Sequence, residues 1–189
     1  MKKNNIAFTF ASAEVNILGQ LFIMIIELLT GKLKLKKLYD EYLIEKRPPQ
    51  YFWDDAVSKL DFKLQTNFQE GSYIPTKGKL IVIANHAFGV ADGVSICSVI
   101  SKVRQDYKMV THKVLRQADA VKNKILPIDF NETKDAILTN INTRKEAEKV
   151  LLNNGVLVLF PSGRIATKKN LKKNTKADDG EWKQWVSKL

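Results

Sequence analysis

The chain has 189 residues, enough for one ordinary domain with a core of its own, and its 44% hydrophobic and 27% charged content excludes a disordered protein. The formal net charge of +11 favours an anionic partner: nucleic acid, an anionic membrane surface or a phosphate-bearing substrate. The lone Cys97 excludes an intramolecular disulfide and leaves little for a structural metal site, so a reducing compartment is expected.

From the start of the chain, Met1-Lys2-Lys3 and the apolar run at residues 17–29 have the order of a signal peptide. Glu14, Asn16 and Gln20 interrupt the approach, Glu27 sits inside the run, and no small-residue cleavage site follows. The run is also shorter than the ~20 residues of a spanning helix. Residues 17–38 therefore read as one or two helices, bent near Thr30-Gly31, lying against something apolar. Lys32, Lys34, Lys36 and Lys37 surround Leu33, Leu35 and Leu38, the composition of an interfacial anchor whose lysines meet anionic headgroups. A core helix followed by a solvated one fits the same residues equally well. Pro48-Pro49 ends this region. Residues 53–68 have loosely helical spacing, through Phe52, Val57, Leu60 and Leu64, although Phe62 and Phe68 also suit a strand.

A turn at Tyr73-Ile74-Pro75 and Gly78 leads into an apolar strand at 79–84, which runs out at Asn85-His86. Beyond Asp92-Gly93 a helix is expected over 94–103, then strands at 108–111 and 125–130. A helix at 134–153 carries an apolar stripe of Ile137, Ile141, Ala147, Val150 and Leu151, capped by Asn154-Gly155. Residues 156–160 form a fully apolar strand, closed by the turn Pro161-Ser162-Gly163-Arg164. Strands alternating with helices predict an α/β fold with a mixed, partly parallel sheet flanked by helices. Functional loops in such sheets lie at the carboxyl ends of strands, where both His86 and Arg164 fall. Residues 168–189 are polar and lysine-rich, carry Trp182 and Trp185, and show no further strand.

Two constellations carry chemistry. A neutral imidazole takes a hydroxyl proton at pH 7, and a carboxylate on its other nitrogen fixes the tautomer, so His86 and Asp92 read as a base and its partner. No serine stands in a G-x-S-x-G setting and Cys97 follows the motif, which does not suggest a protein nucleophile. Phe160–Arg164 ends a strand with exposed backbone N–H groups and a guanidinium, suited to a phosphate or other oxyanion. His112 reads as structural or exposed, Asp129 as a strand-end cap or turn residue that could also face the cleft, and Arg104-Gln105-Asp106 as a connection to the next strand.

Together, NHAFGVADG and LFPSGR resemble the paired motifs of the glycerolipid (lysophospholipid) acyltransferase family. More narrowly, the chain resembles its haemolysin-like and lyso-ornithine-lipid branch, in which five residues separate His from Asp, as between His86 and Asp92. The likeness extends upstream through LTGKLKLKKLYDEY and FWDDAVSKL and covers nearly the whole chain. It implies an N-terminal helical, membrane-associating region over residues 1–70 and an acyltransferase-like core over 71–189. Further strands follow the second motif in the family, so this core is expected to be incomplete at its C-terminus.

The resemblance implies transfer of a fatty acyl group from acyl-carrier protein or a coenzyme A thioester to a lysolipid hydroxyl, like a 1-acylglycerol-3-phosphate O-acyltransferase. His86 and Asp92 would be catalytic. Asn85, Phe88, Gly89, Phe160, Pro161, Ser162, Gly163 and Arg164 would bind substrate, with no metal or other cofactor. Ala87 replaces the common Pro, Ser162 replaces the common Glu, and Arg164 is offset from the usual arginine, which leaves the acceptor head group open. The implied location is peripheral, on the cytoplasmic face of the inner membrane. The alternative is an inactive or truncated relative that docks on anionic membranes. A nucleic-acid partner is not expected, because the aromatics are not interleaved with the lysines.

Overall fold

Four short segments, two of them wholly aliphatic (Leu80–Ile83 and Val156–Leu159), pair into a single sheet in the computed structural model, which describes residues 32–67, 74–168 and 176–184. The expected apolar helix at 17–29, Phe68, Tyr73 and Trp185 lie outside the described residues. In chain order come helix α1 (Lys32–Glu45), a 3-10 turn (Pro49–Tyr51), α2 (Phe52–Lys59), strand β1 (Leu80–Ile83) and α3 (Val90–Ser101). There follow β2 (Tyr107–His112), 3-10 turns at Lys113–Gln117 and Lys122–Lys124, β3 (Ile125–Ile128), α4 (Lys134–Leu152) and β4 (Val156–Leu159). The α/β sheet flanked by helices is as expected; its strand order is β1-β4-β2-β3, and among the described strands every pairing is parallel, where a mixed sheet was expected. Each strand is followed by a long connection, and no hairpin forms among the described strands.

β4 is central and all four of its residues are buried, the pattern of a parallel strand covered on both faces. Val156 and Val158 face a core of Val94, Cys97, Ile100, Tyr107 and Met109, joined by Tyr39, Tyr42 and Trp53 from α1 and α2. Thus Tyr39 and Tyr42 of the lysine-rich helix turn into the same core as the sheet, while Leu35, Leu43 and Ile44 stay exposed. Trp53 Nε1 donates to the Tyr107 hydroxyl, which ties α2 to β2. Leu157 and Leu159 face the other way, onto Val110, Leu126 and the α4 residues Ala147 and Leu151. Among the described residues no helix is long and apolar enough to cross a membrane.

Several boundaries differ from expectation for local reasons. α2 stops at Lys59 because Asp61 takes a left-handed φ of 55°. The Phe62 N–H then closes on the Val57 carbonyl at 3.0 Å, a Schellman-type end. α3 starts at Val90, four residues earlier than predicted, so Asp92 lies in its first turn and not in a loop before it. On α4, Ile137 is 56% exposed and Ile141 is also exposed; the buried stripe is Ala136, Thr143, Ala147 and Leu151. Small residues let this helix lie close to the sheet, and Thr143 Oγ1 donates to the Pro127 carbonyl at 2.6 Å.

One side chain holds the amino ends of three strands. Arg104 is buried and all five of its guanidinium N–H groups have acceptors. Nε and Nη2 pair with the two Asp106 oxygens at 2.8 and 2.6 Å. Nη1 reaches the Pro75 and Gly78 carbonyls at 3.0 and 2.9 Å, and Nη2 the Asn154 carbonyl at 2.7 Å. These groups precede β2, β1 and β4. Gly155 completes the join, since a Cβ there would lie 2.8 Å from the Val150 carbonyl and 3.0 Å from that of Asp106.

Arg104→Met should therefore lower unfolding free energy by about 1–3 kcal/mol, because it leaves three main-chain carbonyls without their donor, while the half-exposed Asp106 turns to solvent. The check is the urea midpoint at constant denaturant dependence. The Arg104 hydrogen bonds also hold the Asp106 carboxyl below its ordinary 3.8. A depressed carboxyl contributes stability above its unfolded value and loses it as pH falls through its folded value. Stability should thus decline as pH drops below 3.8, and less steeply in Asp106→Asn.

Candidate active site

The parallel register sets Ile83, the last residue of β1, beside Leu159, the last residue of β4. The chain leaving each strand therefore emerges at the same point on the carboxyl edge. Three residues past β1, the His86 ring stacks on Phe160, with centroids 4.3 Å apart and planes at 26°. Gly89 then turns the chain with φ 63° and ψ −121°, a conformation open to glycine, and serves as N-cap of α3. A Cβ on Gly89 would come within 3.0 Å of Ile165 Cδ1, so the turn is also tight.

That turn brings Asp92 back to the histidine. Asp92 Oδ2 lies 3.1 Å from His86 Nδ1 and accepts the Phe88 N–H at 2.8 Å. Its place in the first turn faces the positive end of the helix dipole. A carboxylate only accepts, so in a neutral ring this contact selects the tautomer with the proton on Nδ1 and the lone pair on Nε2. The two side chains are 21% and 16% exposed, sheltered but reachable.

The main chain of His86 is held from two further segments. Its N–H donates to Asp179 Oδ1 at 2.7 Å and its carbonyl accepts the Ala166 N–H at 2.6 Å. Asp179 Oδ2 accepts Trp182 Nε1 at 3.1 Å. Thr167 and Asp178 exchange two backbone hydrogen bonds, at 3.0 and 2.9 Å, and Lys183 N–H donates to the Pro161 carbonyl at 2.9 Å. Residues 176–184 thus fold back over both motifs. No regular strand forms in this stretch, as its composition leads one to expect, yet it is fixed by these hydrogen bonds. Its visible signal is the turn-forming Asp179-Gly180 pair ahead of Trp182.

In the second motif, Pro161 and Ser162 are buried inside the turn. The Gly163 N–H bonds the Phe160 carbonyl at 3.0 Å, and Ser162 Oγ donates to the Arg164 carbonyl at 2.9 Å. Ser162 therefore braces the turn. Arg164 is exposed and its guanidinium lies on Gly180, where a Cβ would meet Nη2 at 2.2 Å. Asn85 is exposed. The structure brings together His86, Asp92, the Phe88 amide, Gly89 and Phe160, with Arg164 joined to them through the 176–184 segment.

Around His86 the surface is apolar: Phe88 is 79% exposed, and Val90, Ile165 and Trp182 are also exposed. Cys97 is fully buried and its thiol is pushed up to about 12 by burial, so it is no nucleophile. His112 stacks on Phe130 and its Nδ1 accepts the Val114 N–H at 3.1 Å, while burial lowers its pKa against the opposing pull of Asp129. Asp129 ion-pairs with Lys113 at 2.6 Å and exchanges hydrogen bonds with Asn140, which fixes the β3–α4 connection. A cavity of about 320 Å³ between Tyr51, Asp54, Lys102 and Gln105 lies at the opposite end of α3 and shares no residue with the His86 site. Among the described residues, no group of three or more His, Cys, Asp or Glu is placed to hold a metal.

Comparison with known protein families, curated proteins and solved structures returned no match.

Gly89→Ala should cost about 1–3 kcal/mol of stability, since it places a side chain in a conformation that only glycine adopts freely. Denaturant unfolding measures the loss, and an unchanged midpoint would mean that the turn does not hold this shape.

Proposed function

We propose that the chain is a membrane-associated acyltransferase that moves a fatty acyl group from an acyl-carrier-protein or coenzyme A thioester to a lysolipid hydroxyl. The observation that carries this reading is the 3.1 Å contact between His86 Nδ1 and Asp92 Oδ2, which leaves Nε2 as an open base. The resemblance of NHAFGVADG and LFPSGR to the glycerolipid acyltransferase motifs supplies the reaction class.

In this mechanism His86 Nε2 takes the acceptor's hydroxyl proton as its oxygen bonds to the thioester carbonyl carbon. Asp92 stabilises the imidazolium that forms. Collapse of the tetrahedral intermediate breaks the carbon–sulfur bond, and the imidazolium returns the proton to the leaving thiolate. The products are an ester and a free thiol. No protein nucleophile is needed, in keeping with the burial of Cys97 and the bracing role of Ser162. Arg164, exposed beside the site, is the residue suited to an anionic acceptor head group. Phe88, Val90, Ile165 and Trp182 suit a lipid surface, and the +11 charge suits its anionic headgroups. This reading places the protein peripherally, on the cytoplasmic face of the inner membrane.

His86→Ala should lower thioester-dependent lysolipid acylation by about 10²–10⁴-fold with the fold intact by circular dichroism. Full activity in that variant would sink the mechanism. A second reading, an inactive membrane-docking relative, draws on the same exposed apolar rim. Its signature is sedimentation with phosphatidylglycerol vesicles and no turnover on any lysolipid.

A further inference from the structure

We propose that Asp179 is a positioning residue for His86, acting through the histidine's main chain. The inference rests on the reading of His86 as the base. A general base must hold its free nitrogen within hydrogen-bond reach of the acceptor hydroxyl, so small displacements of its backbone lower the rate. The ring of His86 is fixed on one side by Phe160 and at Nδ1 by Asp92. Those contacts orient the imidazole but do not fix the strand-end peptide from which it hangs.

The peptide is fixed by Asp179. The His86 N–H lies beyond the last β1–β4 pair, Ile83 with Leu159, so the sheet no longer supplies its acceptor. Asp179 Oδ1 takes that role at 2.7 Å, from 93 positions further along the chain. The carboxylate is itself held, because Oδ2 accepts Trp182 Nε1 at 3.1 Å and the adjacent Asp178 is bonded to Thr167 on both sides. The Ala166 N–H closes the other end of the same residue, on the His86 carbonyl at 2.6 Å. Both polar main-chain groups of His86 are thereby tied to the segments that follow the Pro-Ser-Gly-Arg turn. The second motif and the tail behind it therefore set the position of the base in addition to flanking the acceptor.

An amide side chain separates positioning from charge. Asp179→Asn keeps an oxygen for the His86 N–H, whereas Asp179→Ala removes the acceptor. The test uses the full chain, with hydrogen exchange at the His86 amide read by NMR and acyl transfer from palmitoyl-coenzyme A to lysophosphatidylglycerol. In Asp179→Ala the His86 amide should exchange at least about tenfold faster while the Val158 amide, deep in β4, keeps its protection. The same variant should lose about 10–100-fold in kcat with KM little changed, and Asp179→Asn should recover most of both effects. Unchanged exchange at His86 in Asp179→Ala would overturn the proposal, as would an Asn variant as impaired as the Ala variant. If the wild-type chain transfers no acyl group to this acceptor, the exchange result still decides the role of Asp179, and the failure falls on the proposed reaction alone.

Discussion

The site depends on the pairing of β1 with β4. These strands are separated by most of the domain in sequence, yet their register ends both at the same level, Ile83 beside Leu159. Side chains a few residues past each end must then meet. The stacking of His86 on Phe160 is a direct consequence, and so is the nearness of the Pro-Ser-Gly-Arg turn. A one-residue slip in this register would turn every side chain of β1 to the opposite face and withdraw the histidine from Phe160. The buried β4 core on both sheet faces makes such a slip costly.

The two ends of the sheet are secured by different chemistry. At the amino ends, Arg104 gathers the lead-ins of three strands with all five of its N–H groups, a fully satisfied network in a buried setting. At the carboxyl ends, the contacts are those of a site: Gly89 in a glycine-only turn, Asp92 shared between an imidazole and an amide, and the 176–184 segment folded over both motifs. Rigidity at one end and convergent polar groups at the other is the usual division in parallel α/β sheets. The rim of Phe88, Val90, Ile165 and Trp182 around it is apolar and exposed.

Much of this was legible in the sequence because it is local. The aliphatic runs of β1 and β4, the Asn154-Gly155 helix end and the His86–Asp92 spacing are written in adjacent residues. What is not local was missed. The sheet reads as mixed from sequence, since strand direction follows from connections whose path no single stretch specifies. Of the apolar stripe expected on α4, Ala147 and Leu151 are buried while Ile137 and Ile141 are exposed, because hydrophobicity alone does not reveal that the small side chains of Ala136 and Thr143 permit the closer approach. Asp92 was expected before its helix, whereas the backbone of Gly89 allows the helix to begin at Val90. Arg104 lies in a connection, as its sequence setting suggests, but the roles of Arg104 and Asp179 are not legible locally, because their partners lie tens of residues away.

The chemistry proposed for His86 requires Asp92 to hold its ring with Nε2 free. The tautomer of the neutral ring is read from two-bond nitrogen–proton correlations at alkaline pH. The proton should sit on Nδ1 with Nε2 unprotonated, and the ring should contact Phe160. A neutral ring protonated on Nε2 would overturn this, because Asp92 would then not accept from the histidine and Nε2 would have no lone pair with which to take a proton.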